Sequence, residues 1–364
     1  MSGRKLAPDK LLFAIVACLT LFGLAMVGSA SVFTAVRERA GVSSYLVRQS
    51  LFAVAGLAVM LVLMKVDYRR FADRRFVALA FLGSLVLLGL VLFTPPINGA
   101  HRWFPVAGFH LQASEIAKIA FVLFLASTLD RKGDTLADLA TGVVPTAAAC
   151  GSCIVLILIE PDTGTAVLLG ALLMVYLYLA GTSLRVLLAM AGAGAGALAL
   201  DILSKDYKRE RFLAFLDPSA DPLGAAFQIN QSLIAFGSGG ALGVGLGQGN
   251  QKAYYLPSPH SDFIFAVIGE ELGLWGTLLL LALFGVFVWR GLRAAARAPD
   301  NFGQYLALGL TLMIGLQALF NMGVATVLLP TKGLPLPFIS YGGSSLIASL
   351  AAAGILLNIS QHSN

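Results

Sequence analysis

Long runs of apolar residues, each about as long as a bilayer is thick, constrain this chain more than any other feature. Of its 364 residues, 58% are hydrophobic and 12% are charged, whereas a soluble domain carries about 25% charged residues. A helix needs about 20 apolar residues to cross the hydrocarbon core. The pattern predicts about ten spans, at 11–30, 50–65, 76–94, 114–129, 141–159, 164–180, 184–203, 263–289, 304–329 and 340–359. We therefore expect an all-α polytopic membrane protein in which residues 1–364 form a single integral membrane domain.

The distribution of Lys and Arg predicts how the chain is oriented in the membrane. With an internal N-terminus, the predicted inner segments hold 14 Lys and Arg residues and the short outer loops hold five. Positive residues favour the cytoplasmic side of a membrane. Both termini are therefore expected in the cytoplasm of a bacterial cell, with the protein in the cytoplasmic (inner) membrane. This bias also accounts for the net charge of +6, so no nucleic-acid partner is expected.

Two outer segments are too long to be simple turns between helices. The first covers about 95–113, and the second, 204–262, is a large extracytoplasmic loop between the seventh and eighth spans. Loops of this length are usually functional or disordered, and the aromatic residues of 204–262 favour short helices and turns. Its glycine-rich stretch, 237–249, lacks the Lys-Ser/Thr ending of a nucleotide loop. Two interpretations stay open for that stretch, a turning loop and a backbone cradle for an anion.

Three carboxylates stand where the long loop enters the eighth span. Asp262 lies at the mouth of the span, and Glu270 and Glu271 lie about two turns deeper. Ionisable groups at such depth are costly unless they are paired or wetted. Eight residues turn a helix through about 800°, so Asp262 and Glu270 point within about 80° of each other, whereas Glu271 points nearly the opposite way. Two interpretations stay open for Asp262, an acidic residue favoured in the first turn of a helix and a reactive group. Glu270 and Glu271, with His260, are interpreted as supporting residues.

A second charged pair opens the fourth predicted span. Glu115 and Lys118 are three residues apart and share a helix face. Either the two side chains neutralise each other as an ion pair, or Lys118 is a cation that Glu115 orients toward a phosphate. Further outer-face cations are Arg102, Arg211, Lys252 and Lys332. Cations beside one well-placed carboxylate suit transfer chemistry on a lipid-linked phosphate.

Short motifs in a fixed order show a family resemblance over nearly the whole chain. They are Asn98-Gly99-Ala100 with Arg102-Trp103, Gln112 to Lys118, Glu160 to Ala166, Phe215 to Pro218, Gln231-Ser232, Gly237 to Gly240, His260 to Ala266 with Gly269-Glu270-Glu271, and Lys332-Gly333 with Ser340 to Ser345. With these motifs the chain resembles the SEDS proteins (shape, elongation, division and sporulation). The segment 251–257 looks more like the division branch, FtsW, than RodA. Ala113 and Ser258-Pro259 depart from the family's usual pattern. These departures bear on the assignment to a branch more than on the expected activity.

The resemblance implies a peptidoglycan glycosyltransferase that polymerises lipid II at the outer face of the membrane. The 4-hydroxyl of GlcNAc would attack the anomeric carbon of MurNAc and release undecaprenyl diphosphate. The family's essential aspartate matches Asp262, the expected general base. Residues expected to bind substrate are Arg102, Trp103, Glu115, Lys118, Lys332 and Ser340.

The resemblance also implies partners and a cofactor. The partners are a class B penicillin-binding protein, which is a single-span transpeptidase, and other division or elongation proteins. A divalent cation, Mg²⁺ or Mn²⁺, is the implied cofactor, with no ligands assigned. Two other functions stay open: a lipid II flippase or transporter, and a non-catalytic scaffold for the transpeptidase. The scaffold predicts that Asp262 is dispensable, and the transporter predicts polar groups along the whole path through the membrane.

Overall fold

The structure, a computed structural model, describes residues 7–37, 44–97, 99–106, 109–254, 256, 259–330 and 333–362. Seven helices precede the long outer loop, namely α1 (Lys10–Arg37), α2 (Ser44–Lys65), α3 (Arg74–Val91), α4 (Ala113–Lys132), α5 (Val144–Ile159), α6 (Thr163–Leu179) and α7 (Leu184–Leu203). The remaining helices are α8 (Asp206–Leu216), α9 (Phe227–Gly239), α10 (Gln251–Tyr254), α11 (Ile264–Ala296), α12 (Asn301–Ala325) and α13 (Gly343–Ser360). Strands β1 (Trp103–Val106) and β2 (Phe109–Gln112) form an antiparallel hairpin.

The helical membrane fold predicted from the apolar runs is confirmed. Within the described residues, eight helices are long and apolar enough to cross a membrane. The fourth predicted span corresponds to α4, whose first turns hold Glu115 and Lys118, and the sixth corresponds to α6, which has 17 residues. The total of ten spans therefore stays a prediction for these two helices.

The second span is longer than the sequence pattern predicts, because it begins at Ser44 rather than at residue 50. Polar residues at its outer end ended the apolar run in the sequence. In the fold, Gln49 is buried: its amide donates to the Ser340 carbonyl (3.1 Å) and its side-chain oxygen accepts from the Gly342 N–H (3.3 Å). Hydrogen bonds to a distant loop thus allow a polar residue inside the helix.

The last two helices form the centre of the bundle. In their most apolar windows, 72% of the residues of α12 and 78% of those of α13 are buried, against 6% in α7. Helix α13 packs closely on α2 at two glycines: a Cβ at Gly56 would lie 2.6 Å from Leu350, and one at Gly354 would lie 2.6 Å from the Met60 carbonyl oxygen. Small residues allow such approach between membrane helices.

The two ends of the described chain meet at one face of the bundle. The Asp9 N–H donates to Ser360 Oγ (3.2 Å), and Arg290 on α11 pairs with the Asp9 carboxylate (2.5 Å). Both termini therefore lie on the same side, as an even number of spans requires. Their cytoplasmic orientation stays a prediction from the Lys and Arg distribution.

The long outer loop contains α8, α9 and α10, as its composition predicted. Its glycine-rich stretch turns at Gly243, Gly245 and Gly247, whose φ angles of 78°, 106° and 82° suit residues without a Cβ. The Val244 and Gly245 N–H groups donate to the carbonyls of Glu270 and Glu271 (3.0 Å each). These two N–H groups already donate to carbonyls of α11 and therefore cannot donate to an anion. This favours the turning-loop interpretation over an anion cradle.

Candidate functional site

A cavity of about 390 Å³ opens between three segments of the predicted outer face, and we call it the Asp262 cavity. The β1–β2 hairpin contributes Trp103, and the segment before α11 contributes His260 and Asp262. The loop before α13 supplies a third wall, which includes Gly333 and Tyr341. A volume of about 300–1,000 Å³ is usual for small-molecule sites. The cavity is thus large enough for a sugar and carries a carboxylate in its wall.

The main chain of Asp262 is held by a buried amide on α12. Asn321 Nδ2 donates both to the Asp262 carbonyl (3.0 Å) and to the Leu334 carbonyl (2.7 Å). One turn earlier on α12, Gln317 Nε2 donates to the Pro335 carbonyl (2.8 Å). The two amides therefore fix Asp262 and the opposite wall of its cavity relative to one helix.

The Asp262 carboxylate itself is left open for chemistry. None of the described residues donates a hydrogen bond to it, and it lines the cavity. Burial raises the pKa of Asp262, while the positive charges of Arg102 and Arg211 oppose that rise. A carboxylate whose pKa is shifted toward neutrality is a better general base. The wall opposite is close, because a Cβ at Gly333 would lie 3.0 Å from Asp262 Oδ2.

His260 and Ser340 hold this segment in place. The His260 ring lies 5.0 Å from the Tyr45 ring and 5.4 Å from the Tyr341 ring between centroids, and the Tyr341 N–H donates to the His260 carbonyl (2.8 Å). Ser340 Oγ donates to the Ser261 carbonyl (2.7 Å). Ser340 is buried and does not line the cavity, so its expected contact with substrate stays a prediction.

Arg102 and Trp103 lie at the cavity wall, as the sequence suggested. The Arg102 guanidinium lies 5.9 Å from the centroid of the Trp103 ring. Its Nε donates to the Glu160 carbonyl (2.9 Å), and its Nη2 donates to the Pro161 carbonyl. These contacts fix Arg102 to the turn between α5 and α6, yet both acceptors are neutral. Its positive charge is therefore available to a bound anion.

Glu115 and Lys118 are not brought to the Asp262 cavity. Both are buried, their charged atoms are 2.9 Å apart, and Lys118 Nζ also donates to Gln317 Oε1 (2.6 Å). Glu115 instead borders an apolar groove of about 380 Å³ that includes Ile116 and Ile347. The structure thus places them in a self-neutralised network behind the cavity. Lys332, the other expected cation, lies outside the described residues.

Glu270 and Glu271 are buried and paired. Glu271 accepts from Ser29 Oγ (2.8 Å) and the Gly247 N–H (3.1 Å), and it forms an ion pair with Lys252 (2.5 Å). Glu270 accepts from the main-chain N–H groups of residues 250 and 251 (2.7 and 3.1 Å). Both carboxylates anchor the long loop, in line with the supporting role expected for them.

The turn between α5 and α6 holds a buried acid that the sequence did not single out for function. Neither carboxyl oxygen of Glu160 has a hydrogen-bond partner within the described chain. Burial raises the pKa of Glu160 to about 9, with Asp162 acting in the same direction and Arg102 against it. Asp162 caps α6, accepting from the Thr165 N–H (3.2 Å). Capping of α6 accounts for Asp162 but not for Glu160.

Among the described residues, no group of three or more His, Cys, Asp or Glu side chains is placed to hold a metal ion. Mg²⁺ nevertheless often binds through one or two carboxylates together with substrate phosphates and water. The unpartnered Asp262 carboxylate fits that kind of site, which needs the substrate for completion.

Comparisons with known proteins agree with this arrangement. Residues 9–364 match the sequence model of the FtsW/RodA/SpoVE family, described as a cell cycle protein. The chain is 44% identical to a probable peptidoglycan glycosyltransferase FtsW of Geobacter metallireducens, over 97% of this chain and 94% of that one. It is 40% identical to stage V sporulation protein E of Bacillus subtilis over the full length of both.

Solved structures show the same fold. A chain from a peptidoglycan synthase complex, described for its coordination of polymerization and crosslinking, superposes with a TM-score of 0.81 at 33% identity, covering 98% of both chains. The rod shape determining protein RodA of Thermus thermophilus superposes with a TM-score of 0.69 at 29% identity, covering 98% of this chain and 97% of that one. With its sequence and its fold both matched over nearly the full length, this chain belongs to the FtsW/RodA/SpoVE family.

Proposed function

We propose that this protein is a peptidoglycan glycosyltransferase that polymerises lipid II at the outer face of the bacterial cytoplasmic membrane. The observation that carries the proposal is the Asp262 carboxylate, which lines a sugar-sized cavity without a hydrogen-bond donor among the described residues. The names of the FtsW relatives support the same activity. Their branch also supports a role in division, with SpoVE as a sporulation relative.

In the proposed reaction Asp262 acts as the general base. It takes the proton from the 4-hydroxyl of the acceptor GlcNAc, whose oxygen attacks the anomeric carbon of the donor MurNAc. The bond from that carbon to the phosphate oxygen breaks, and the electron pair leaves with undecaprenyl diphosphate. The raised pKa of Asp262 suits proton transfer, and the Arg102 charge stabilises the developing diphosphate.

Asn321 and Gln317 have a positioning role in this scheme, because they hold the main chain on both sides of the cavity. If a divalent cation is bound, the Asp262 carboxylate would hold it together with substrate phosphate and water, and the ion would supply positive charge against the leaving group. Trp103 offers a ring at the cavity wall for a sugar face. Lys332 is proposed to assist through its charge, whereas Lys118, paired with Glu115, supports the cavity wall by donating to Gln317.

A membrane-bound transpeptidase of the class B penicillin-binding type is the proposed partner. The similar chain from a complex that coordinates polymerization and crosslinking supports such an assembly. Other division or elongation proteins are proposed to join it.

The test is polymerisation of labelled lipid II by the purified full chain with its partner, resolved on a gel. Asp262→Ala and Asp262→Asn are expected to abolish glycan strands while the thermal midpoint stays near that of the wild type. Arg209→Gln, on the exposed face of α8, is the matched control. Full polymerisation by Asp262→Ala would contradict the proposal and favour a scaffold. Intact polymerisation with lost lipid II translocation would favour a transporter.

A further inference from the structure

A second, smaller cavity of about 100 Å³ lies beside the Asp262 cavity, and we call it the α8 cavity. One wall is the face of α8 that carries Lys208 and Arg211, and the other is the α5–α6 turn. Arg102 and Gly333 line both cavities. The two spaces are therefore neighbours that share one wall, and Asp262 borders only the larger of them.

The size of the α8 cavity limits what it can hold. Small-molecule sites usually exceed about 300 Å³, so the α8 cavity, at about 100 Å³, is small for a ligand of that kind. Such a volume does not admit a disaccharide, but it suits a compact polar group. The Asp262 cavity, at about 390 Å³, has the room for a sugar that the α8 cavity lacks.

The charges around the α8 cavity favour an anion. Arg102, Lys208 and Arg211 line it, with Asp162 as the one lining carboxylate. Asp162 accepts from the neutral hydroxyls of Ser114 and Thr165 and keeps its charge, which offsets one of the three cations. The balance of the lining side chains is therefore positive.

The three cations differ in whether a nearby carboxylate already neutralises their charge. Lys208 is buried and paired with Asp201 (2.5 Å). Arg102 donates to two neutral carbonyls. Arg211 is exposed at the cavity and forms no ion pair within the described chain, although its charge acts on Asp262. A guanidinium in this state can bind a phosphate with two parallel hydrogen bonds.

We propose that the α8 cavity binds the diphosphate that leaves in the transfer reaction, through Arg211 and Arg102, while the Asp262 cavity holds the attacking sugar. This inference rests on the proposed function, which needs two lipid-linked substrates side by side. The acceptor oxygen loses its proton to Asp262 and bonds to the donor's anomeric carbon. The bond from that carbon to the phosphate breaks, and its electron pair stays on the diphosphate next to Arg211.

The shared wall makes the two half-sites neighbours. Gly333 borders both cavities, and a Cβ there would lie 3.0 Å from Asp262 Oδ2. The base and the anion site thus face each other across a residue without a side chain. Arg102 on the same wall would meet the diphosphate as its charge develops.

The experiment measures binding of farnesyl diphosphate to the full chain in nanodiscs of phosphatidylcholine. Arg211→Gln is compared with Arg211→Lys and with Arg209→Gln, which alters another arginine of α8 that pairs with Asp206 and does not line the cavity. We expect Arg211→Gln to raise Kd about tenfold, which corresponds to about 1.4 kcal/mol. Arg211→Lys should recover part of the affinity, and Arg209→Gln should match the wild type in binding and polymerisation. A thermal midpoint for each variant separates lost binding from lost folding.

Competing ligands show which chemical group the α8 cavity binds. Displacement of the probe by inorganic diphosphate supports a site for the diphosphate group itself. Equal displacement by phosphatidylglycerol, or equal affinity of Arg211→Gln and Arg209→Gln, would overturn the proposal.

The same binding assay in the Asp262→Asn background separates this inference from the proposed function. Binding that is retained by Asp262→Asn and lost on adding Arg211→Gln supports the α8 cavity without any catalysis. Polymerisation by Asp262→Asn would refute the role of the base and leave the binding result standing.

Discussion

Removing one member of the buried Lys252–Glu271 ion pair should destabilise the protein far more than removing both. The pair is 2.5 Å long, and the two side chains are 1% and 0% exposed. Loss of one partner from such a pair costs about 3–5 kcal/mol, because the other charge stays buried alone. We therefore expect Lys252→Met and Glu271→Gln each to lower Tm by roughly 6–10 °C, at about 2 °C per kcal/mol for a large chain.

The double variant Lys252→Met/Glu271→Gln should recover most of this loss. A glutamine oxygen can still accept from Ser29 and from the Gly247 N–H, which are the other donors to Glu271. No buried charge then remains, and neutral replacements of buried pairs are often close to neutral in stability. The loop anchor would be kept while both charges are gone.

The assay combines Tm with lipid II polymerisation for the wild type, both single variants and the double variant. Arg209→Gln breaks an exposed pair with Asp206 and should change stability by less than about 1 kcal/mol. If Glu271 only anchors the loop, the double variant polymerises lipid II. A double variant that folds as well as the wild type but makes no glycan would refute the reasoning and place Glu271 in the chemistry.

Three further predictions follow from contacts around Asp262 and from the buried acid. Gly333→Ala should lower polymerisation at least tenfold with little change in Tm, because the new Cβ would lie 3.0 Å from Asp262 Oδ2; Gly83→Ala on α3, where a Cβ meets no atom within 4 Å, controls for a changed glycine, and unchanged activity of Gly333→Ala would contradict the contact. Asn321→Leu should lower kcat while changing KM little, and it should shift the pH dependence of polymerisation, since Asn321 holds the Asp262 carbonyl; an unaltered pH dependence with a lowered Tm would indicate a structural role alone. Glu160→Gln should stabilise the protein increasingly between about pH 4.5 and 9, because the folded state keeps a proton that the unfolded state loses; the gain, at most about 1.4 kcal/mol per pH unit, is measured as Tm against pH, and a pH-independent gain would contradict the protonated carboxyl.

Most of the fold could be predicted from the sequence because the bilayer allows few solutions. Apolar runs of about 20 residues can only be helices there, and the spans starting at 76, 184 and 340 lie within a few residues of α3, α7 and α13. The start of α2 was wrong by six residues, because Gln49 finds partners in a loop almost 300 positions away.

The site was only partly predictable, and the reason lies in which atoms make the contacts. Asp262 could be singled out because helix geometry separates it from Glu271 and because it matches the essential aspartate of the family that the chain resembles. Asn321 escaped notice because it acts on main-chain carbonyls, which carry no sequence signal. The sequence left open whether Lys118 pairs with Glu115 or faces a phosphate, because its further partner Gln317 lies on a helix 199 residues away.

The glycine at position 273 has a mechanical consequence for the base. Its φ of 66° and ψ of −162° interrupt the helical backbone of α11, and the long loop supplies amide donors to the carbonyls of Glu270 and Glu271 just before it. The loop is bonded on the other side of the break as well, because the Leu274 and Trp275 N–H groups donate to the Gly240 and Ala241 carbonyls (2.9 and 3.4 Å). The loop therefore bridges the break, and a partner that displaces the loop would free the angle between the segment that follows Asp262 and the long membrane part of α11.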